Sequence, residues 1–144
     1  MTTLYAAFIK HIVDNLSKPL QEEFFKKINI GIICTAYSNG SFMNFIKNKL
    51  KLPLVIGKTG IKFLFEKSKN FDISVLFESN GHGGVYFNNR AISELQKLNC
   101  LTSSSKDAQY LELLNVFMSM FNQVIYIIKT QTLIFSYIRP MEMH

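Results

Sequence analysis

Apolar residues in the first half of the chain alternate between helical spacing and continuous runs. Near the N-terminus they recur every three or four positions, which predicts an amphipathic helix over residues 3–17. The β-branched run Ile28–Ala36 follows, and a run without alternation is typical of a strand buried on both faces. The runs Pro53–Gly57 and Ile73–Glu78 have the same character. Together they predict three strands of a parallel sheet.

Helical spacing returns between these predicted strands, so each pair of strands is joined by a helix. Ser41 precedes the first connecting helix and Thr59 the second, and both are residue types that cap helix N-termini. Strand, helix and parallel strand in succession form a βαβ unit. The sequence therefore predicts two overlapping βαβ units.

The second half of the chain adds one short strand and two helices to this pattern. Val85–Phe87 follows a glycine-rich turn, which predicts an antiparallel strand. Apolar spacing over 91–98 predicts one helix, and Ser104 with Asp107 has capping-box spacing before another. The predicted fold class is α/β: a three-layer α/β/α sandwich with a mainly parallel mixed sheet of about four strands.

Composition and charge indicate which binding partners and which cellular compartment to expect. The 144 residues fit one domain, and the net charge is +6, but only Arg90 and Arg139 among 16 basic residues are arginine. Nucleic-acid reading favours arginine's bidentate geometry, so no nucleic-acid partner is expected. The first thirty residues lack presequence features, which predicts a cytoplasmic protein. The longest uncharged stretch, Leu113–Ile128, is shorter than a membrane span, so membrane insertion is not expected.

The two cysteines, Cys34 and Cys100, have neither disulfide-framework nor metal-ligand spacing. Both are predicted to be buried thiols. Metal ligation by His82 is also not expected, because no cysteine, aspartate or second histidine lies at ligand spacing from it.

Polar loops follow the three predicted parallel strands and should converge at one edge of the sheet: Thr35–Ser41, Lys58–Lys62 and Glu78–Gly84. A carboxylate at Glu78 can accept two hydrogen bonds from adjacent sugar hydroxyls, and Asn80 adds a donor and an acceptor. Glycines at 81, 83 and 84 permit close approach of backbone to ligand. The alternative is an ordinary hairpin turn with a solvated glutamate.

His82 and the Lys58–Lys62 loop carry weaker signals. An imidazole between two glycines suits proton transfer or a phosphate contact, and a structural role is the alternative. The loop lies where a strand gives way to a helix, a position that favours an anion. The alternative there is a plain Thr59 cap with both lysines solvated.

The segments TAYSNGS, KTGIK and VLFESNGHGGVYF together resemble the third domain of phosphoacetylglucosamine mutase, in the α-D-phosphohexomutase superfamily. The resemblance covers about residues 1–122. It implies a helix from the end of a preceding domain over 1–28, a sugar-binding α/β/α domain over 29–122 and a divergent apolar tail over 123–144. The substrate-binding residues that it implies are Glu78, Ser79, Asn80, Gly81, His82, Thr59, Gly60 and Lys62.

The same resemblance implies a function for a longer enzyme. Such mutases interconvert N-acetylglucosamine 6-phosphate and 1-phosphate for UDP-N-acetylglucosamine biosynthesis, using a phosphoserine, Mg²⁺ held by aspartates and a phosphate clamp. This chain has none of those three motifs and no magnesium ligands, so it is expected to supply the sugar-recognition loop and to be inactive without the missing domains. Two alternatives stay open: a non-catalytic sugar-phosphate-binding or interaction module, and a domain of another phosphohexomutase.

Overall fold

The structure, a computed structural model, describes the backbone of residues 1–102 and 104–138 and side chains as far as residue 121. A helical pair precedes the first strand, helices connect the first three strands, and a turn joins the last two. The elements in chain order are α1 Thr2–Asp14, α2 Lys18–Lys27, β1 Ile30–Thr35, α3 Gly40–Asn44 continuing as a π-helix Phe45–Leu50, β2 Leu54–Gly57, α4 Ile61–Ser68, β3 Ile73–Phe77, β4 Gly83–Phe87, α5 Asn89–Leu101 and α6 Ser105–Ile138.

The four strands form one sheet in the order β2-β1-β3-β4. The central strand β1 runs parallel to both neighbours, with Thr35 opposite Gly57 on one side and Ile33 opposite Leu76 on the other. Strand β4 pairs antiparallel with β3. These pairings confirm the predicted mainly parallel mixed sheet of four strands.

Helices cover both faces of the sheet, which confirms the three-layer sandwich. Ile32 and Val75 point into the larger core cluster, which α1, α5 and α6 complete. Ile33 and Leu76 point to the opposite face, where Leu64 of α4 packs on them. The alternation of neighbouring β1 and β3 residues between two cores explains why their sequences are apolar without a break.

The N-terminal region contains one helix more than the sequence predicts. The helix predicted over 3–17 ends at Asp14, and α2 begins at Lys18 after a short turn. Only Leu20 and Phe24 of α2 are buried, so its apolar pattern is too sparse to be distinguished from a polar connection. Pro19 lies in the first turn of α2, a position that needs no backbone donor.

Two predicted helix caps are wrong, and the aspartate of the third predicted cap, at the start of α6, has a distant partner. The cap of α3 is Asn39, whose Oδ1 accepts from the Ser41 N–H at 2.8 Å. The N-cap of α4 is Gly60 and not Thr59. The carboxylate of Asp107 accepts hydrogen bonds from Ser17, 90 residues away, so its partner is not the local capping box. Spacing alone cannot distinguish such contacts from local ones.

The prediction of two buried thiols is half correct. Cys34 on β1 is buried, whereas Cys100 near the end of α5 is exposed. Burial raises the pKa of the Cys34 thiol, while a hydrogen bond with Ser38 and the charge of Lys47 oppose that effect. Cys100 is exposed because it falls on the solvent side of a helix that buries Leu95 and Leu98.

The C-terminal helix α6 continues through the region predicted to be a divergent tail. Its backbone is helical to Ile138, while the side chains beyond 121 and residues 139–144 lie outside the described part of the chain. Within the described residues, no helix is both long and apolar enough to cross a membrane.

Candidate functional site

The carboxyl ends of β1 and β3 flank the point where the chain connections diverge. From β1 the chain crosses to β2 by way of α3 and the π-helix on one face. From β2 it returns past β1 to β3 by way of α4 on the other face. In open α/β sheets, ligands bind at such a switch point, outside the carboxyl ends of the strands. Thr35 and Glu78 lie there, since the β1–β3 register extended by two residues brings them level.

Two of the three predicted loops meet in a direct hydrogen bond. The Gly60 N–H donates to Oε1 of Glu78 at 2.8 Å, across 18 residues of sequence. The bond joins the start of α4 to the end of β3. The predicted convergence of these two loops at one edge of the sheet is therefore confirmed.

The turn that carries Glu78 is closed by its own hydrogen bonds. The Glu78 N–H donates to the His82 carbonyl at 2.7 Å, and the Gly81 N–H donates to the Glu78 carbonyl at 3.0 Å. Oδ1 of Asn80 accepts from the His82 N–H at 2.9 Å. These bonds leave Ser79, Asn80, Gly81 and His82 exposed in a compact turn. The turn presents polar groups to solvent with a fixed backbone.

The glycines of this turn behave in two different ways. Gly81 and Gly83 have φ of +87° and +156°, in the region that side-chain-bearing residues rarely adopt. Gly84 has no positive φ and lies buried in β4. The expectation of unusual backbone conformation thus holds for Gly81 and Gly83.

The side chains of His82 and Glu78 approach each other without forming a hydrogen bond. Nδ1 of His82 lies 3.9 Å from Oε2 of Glu78, beyond hydrogen-bond distance. The His82 side chain is 78% exposed, whereas that of Glu78 is 9% exposed. His82 therefore belongs to the open rim of the site, and the carboxylate lies recessed behind it.

The loop before α4 already has an anion at its helix terminus. Helix α4 has no acidic residue in its first turn, and its N-cap Gly60 has no side chain to cap it. The carboxylate of Glu78 supplies the negative charge that such a terminus favours. Lys58, Thr59 and Lys62 are exposed around it. The Glu78 carboxylate thus lies where a helix N-terminus favours an anion, at the Gly60 amide, while ligand binding by this loop stays a prediction.

The first polar loop contains two further residues, Thr35 and Tyr37, whose individual roles the sequence does not indicate. The Thr35 hydroxyl is buried and has no hydrogen-bond partner among the described residues. Tyr37 is 81% exposed, and its aromatic ring in an otherwise polar loop was the available signal. Thr35 is paired with Gly57 on β2 and is level with Glu78 on the other side. It therefore lies at the edge of the sheet from which the three loops leave.

The described residues contain no group of three histidine, cysteine, aspartate or glutamate side chains that could hold a metal ion. Oε1 of Glu78 already accepts from the Gly60 amide, and Oε2 lies 3.9 Å from Nδ1 of His82. A magnesium ion does not fit this donor set, because Mg²⁺ requires several oxygen ligands in octahedral geometry.

Comparisons with known proteins agree with this architecture. The family "Phosphoacetylglucosamine mutase AMG1, domain III" matches residues 1–137. The phosphoacetylglucosamine mutase of Candida albicans is 34% identical over 125 residues, which are 87% of this chain and 22% of that enzyme. The chain therefore belongs to the α-D-phosphohexomutases and, within them, to the phosphoacetylglucosamine mutase family.

Solved structures of such mutases contain a region with the same fold as this chain. An N-acetylglucosamine-phosphate mutase in its apo-form superposes with a TM-score of 0.75 at 33% identity, over 85% of this chain and 25% of that one. The Aspergillus fumigatus N-acetylphosphoglucosamine mutase, in complex with GlcNAc-6P and magnesium, gives 0.69 at 35% identity, over 78% of this chain and 21% of that one. The chain thus spans about a quarter or less of the proteins that it matches.

Proposed function

We propose that this chain is the sugar-recognition part of a phosphoacetylglucosamine mutase and that its turn at 78–82 binds the hydroxyls of an N-acetylglucosamine phosphate. The observation that carries the proposal is the hydrogen bond from Gly60 to Glu78. It fixes a recessed carboxylate at the switch point of the sheet, beside an exposed polar turn.

The groups of the turn are complementary to a sugar hydroxyl, which both donates and accepts. Oε2 of Glu78 is the acceptor on the side of His82. The Asn80 side chain uses its oxygen for the His82 N–H, so its amide nitrogen is the donor that remains. The Ser79 hydroxyl can take either role. An acceptor next to a donor suits adjacent hydroxyls of a pyranose ring.

The proposed substrate class follows from the relatives. One structural neighbour is described in complex with GlcNAc-6P and magnesium, and another mutase of the superfamily in a substrate complex. We propose that this chain binds the same class of ligand, an N-acetylglucosamine phosphate. The turn at 78–82 would contact the sugar part of that ligand. The exposed lysines Lys58 and Lys62 give the rim positive charge, which favours an anionic sugar over a neutral one.

The chain spans 22% of its Candida albicans relative. In this proposal, phosphoryl transfer is therefore carried out by a longer enzyme of which this chain is one part. The described residues offer no site for magnesium, so no step of the chemistry is assigned to them. Their part is to hold the sugar in a fixed orientation, a positioning effect on which phosphoryl transfer depends.

A titration of the 144-residue chain with N-acetylglucosamine 6-phosphate, followed by backbone amide NMR, tests the proposal. We expect shifts centred on Ser79, Asn80 and His82, with a Kd of about 1 mM or weaker, because one wall supplies few contacts. Replacing Asn80 by Ala removes the donor and should weaken binding several-fold. Asn99→Ala, at an exposed position of α5, is the matched control and should leave the titration unchanged.

Two results would contradict the proposed function. Shifts spread over surface lysines without a focus at 78–82 would indicate nonspecific anion binding. An equal response to inorganic phosphate and to the sugar phosphate would indicate that the turn does not recognise the sugar. N-Acetylglucosamine without phosphate should shift the same amides at higher concentration.

A further inference from the structure

Glu78 contacts the loop before α4 in addition to the contact with sugar proposed above. Its Oε1 lies 2.8 Å from the Gly60 nitrogen, a distance typical of a charge-assisted hydrogen bond. The side chain is only 9% exposed, so solvent competes little for this bond. A carboxylate that served only to meet a ligand would not need to be recessed against a neighbouring loop.

Gly60 is held by hydrogen bonds at both its amide and its carbonyl. Its φ is +119° and its ψ is 126°, and a Cβ there would lie 3.2 Å from Cδ2 of Phe63. The Gly60 carbonyl accepts from the N–H groups of Phe63 and Leu64, at 3.0 and 3.2 Å, and so closes the first turn of α4. The amide of the same residue is held by Glu78. Both ends of this peptide segment are therefore fixed, one by α4 and one by β3.

The Glu78 backbone is equally constrained from its own side. It is paired with His82 at its N–H and with Gly81 at its carbonyl. Residue 78 directly follows the buried strand β3, whose five residues are all buried. The carboxylate is therefore a fixed point, and the segment before α4 is the partner that it locates.

The two carboxylate oxygens have different surroundings. Oε1 faces the Gly60 amide, and Oε2 lies 3.9 Å from the exposed His82 ring. One oxygen can hold the neighbouring loop while the other accepts from a ligand, since each carboxylate oxygen has two lone pairs. This division makes a single side chain serve both loops.

We propose that Glu78 is a positioning residue for the Lys58–Lys62 loop, which it locks to the 78–82 turn through the Gly60 amide. The two loops then form one preformed surface before any ligand arrives. Preformed surfaces bind more tightly because less ordering accompanies binding. The inference rests on the proposed function for its consequence in sugar binding, while the lock itself exists in the ligand-free chain.

Hydrogen–deuterium exchange of the Gly60 amide, measured by NMR on the ligand-free 144-residue chain, tests the lock. We expect Gly60 to be protected, and Glu78→Ala to make its exchange about ten- to a hundredfold faster, the effect of losing a bond to a charged acceptor. Glu78→Gln retains a carbonyl oxygen and should restore most of the protection. The Gly60 amide proton should shift upfield in Glu78→Ala and stay near its position in Glu78→Gln.

A matched control separates the lock from a general effect of charge or stability. Glu66→Ala removes an exposed carboxylate of α4 that pairs with Lys69, and it should leave Gly60 exchange unchanged. The amides of β1 serve as internal reference, because global destabilisation would accelerate them together with Gly60. A general loss of folding in Glu78→Ala is therefore distinguished from local release.

Fast exchange of Gly60 in the unmodified chain, or equal protection in Glu78→Ala, would overturn the inference. Equally fast exchange of the Gly60 amide in Glu78→Gln and Glu78→Ala would also overturn it. In that case the oxygen retained in Glu78→Gln would not accept the hydrogen bond from Gly60. If Gly60 behaves as expected but no sugar phosphate binds, the lock stands and the proposed function fails. If the sugar phosphate binds but the Gly60 amide is unprotected, the proposed function stands and the lock fails.

Discussion

Gly83 is the position where a single methyl group has the largest expected effect near the site. A Cβ there would lie 2.1 Å from the Leu76 carbonyl oxygen, and its φ of +156° is strained for other residues. The next atom, Cα of Phe77 at 2.6 Å, is also backbone, so neither of the two can move aside. We expect Gly83→Ala to reduce the free energy of unfolding by about 3 kcal/mol, measured by urea denaturation.

Two other glycines provide graded controls for that substitution. Gly81 has φ +87° but no atom within 4 Å of its virtual Cβ, so Gly81→Ala should cost about 1 kcal/mol from backbone strain alone. Gly40 has open space and no positive φ, so Gly40→Ala should be neutral or slightly stabilising. Equal effects at all three would show that steric contact at Gly83 is not the cause.

Residue roles were only partly accessible from the sequence. The glycine-rich turn and the carboxylate at its start could be recognised, because turn chemistry and strand endings are local patterns. The bond between Gly60 and Glu78 could not, because it joins residues of different elements. The assignment of Glu78, Ser79, Asn80, Gly81, His82, Thr59, Gly60 and Lys62 to substrate binding stays a prediction.

The junction between α1 and α2 is tied to α6 by a single carboxylate. Asp107 is 5% exposed and accepts from the Ser17 N–H at 2.8 Å and from the Ser17 hydroxyl at 2.7 Å. Replacing Asp107 by Ala removes both bonds from a charged acceptor. We expect the free energy of unfolding to fall by about 2–3 kcal/mol, measured by urea denaturation.

Asp14→Ala is the matched control for that prediction. Asp14 pairs with Lys10 on α1, but its side chain is 46% exposed. Exposed pairs of this kind contribute about 0–1 kcal/mol. A loss at Asp107 no larger than the loss at Asp14 would show that the link between α6 and the α1–α2 junction does not stabilise the fold.

At the scale of elements, local apolar patterns were sufficient for most of the fold. The helices α1, α3, α4, α5 and α6 follow from helical spacing of apolar residues, strands β1, β2 and β3 from unbroken apolar runs, and β4 from the glycine-rich turn before it. Helix α2 was missed because it buries few residues. The π-helix at Phe45–Leu50 was also missed, since its extra residue per turn leaves no distinct pattern in so short a segment.

The molecule has one buried thiol, Cys34, and one exposed thiol, Cys100. The difference between their reaction rates with an alkylating reagent therefore reports on folding. Among the side chains that the structure describes, 23 buried hydrophobic residues form the larger core cluster. The sequence could predict the sandwich because overlapping βαβ units imply helices packed on a parallel sheet, but it did not predict the strand order β2-β1-β3-β4. It could not predict which thiol is exposed, since that depends on which face of α5 packs against the sheet.

Alkylation of the native 144-residue chain should therefore proceed in two well-separated phases. Cys100 is exposed and should react at the rate of a free thiol, whereas Cys34 is 1% exposed and reacts only after unfolding. For a domain stable by about 5 kcal/mol, the second phase should be at least about a thousandfold slower. Mass spectrometry after timed quenching assigns each phase, and a Cys100→Ser variant isolates the slow one.

The pH dependence of the slow phase follows from the environment of Cys34. Burial raises its pKa in the folded chain, so the folded state holds the thiol proton more tightly than the unfolded state. The resulting stability is fully present below the unfolded thiol pKa of about 8.5 and is lost as pH rises toward the folded pKa. Protection of Cys34, corrected for thiolate content, should thus decrease above that pH. Reaction of both thiols at the rate of Cys100 in the absence of urea would show that the chain does not maintain a packed sheet by itself.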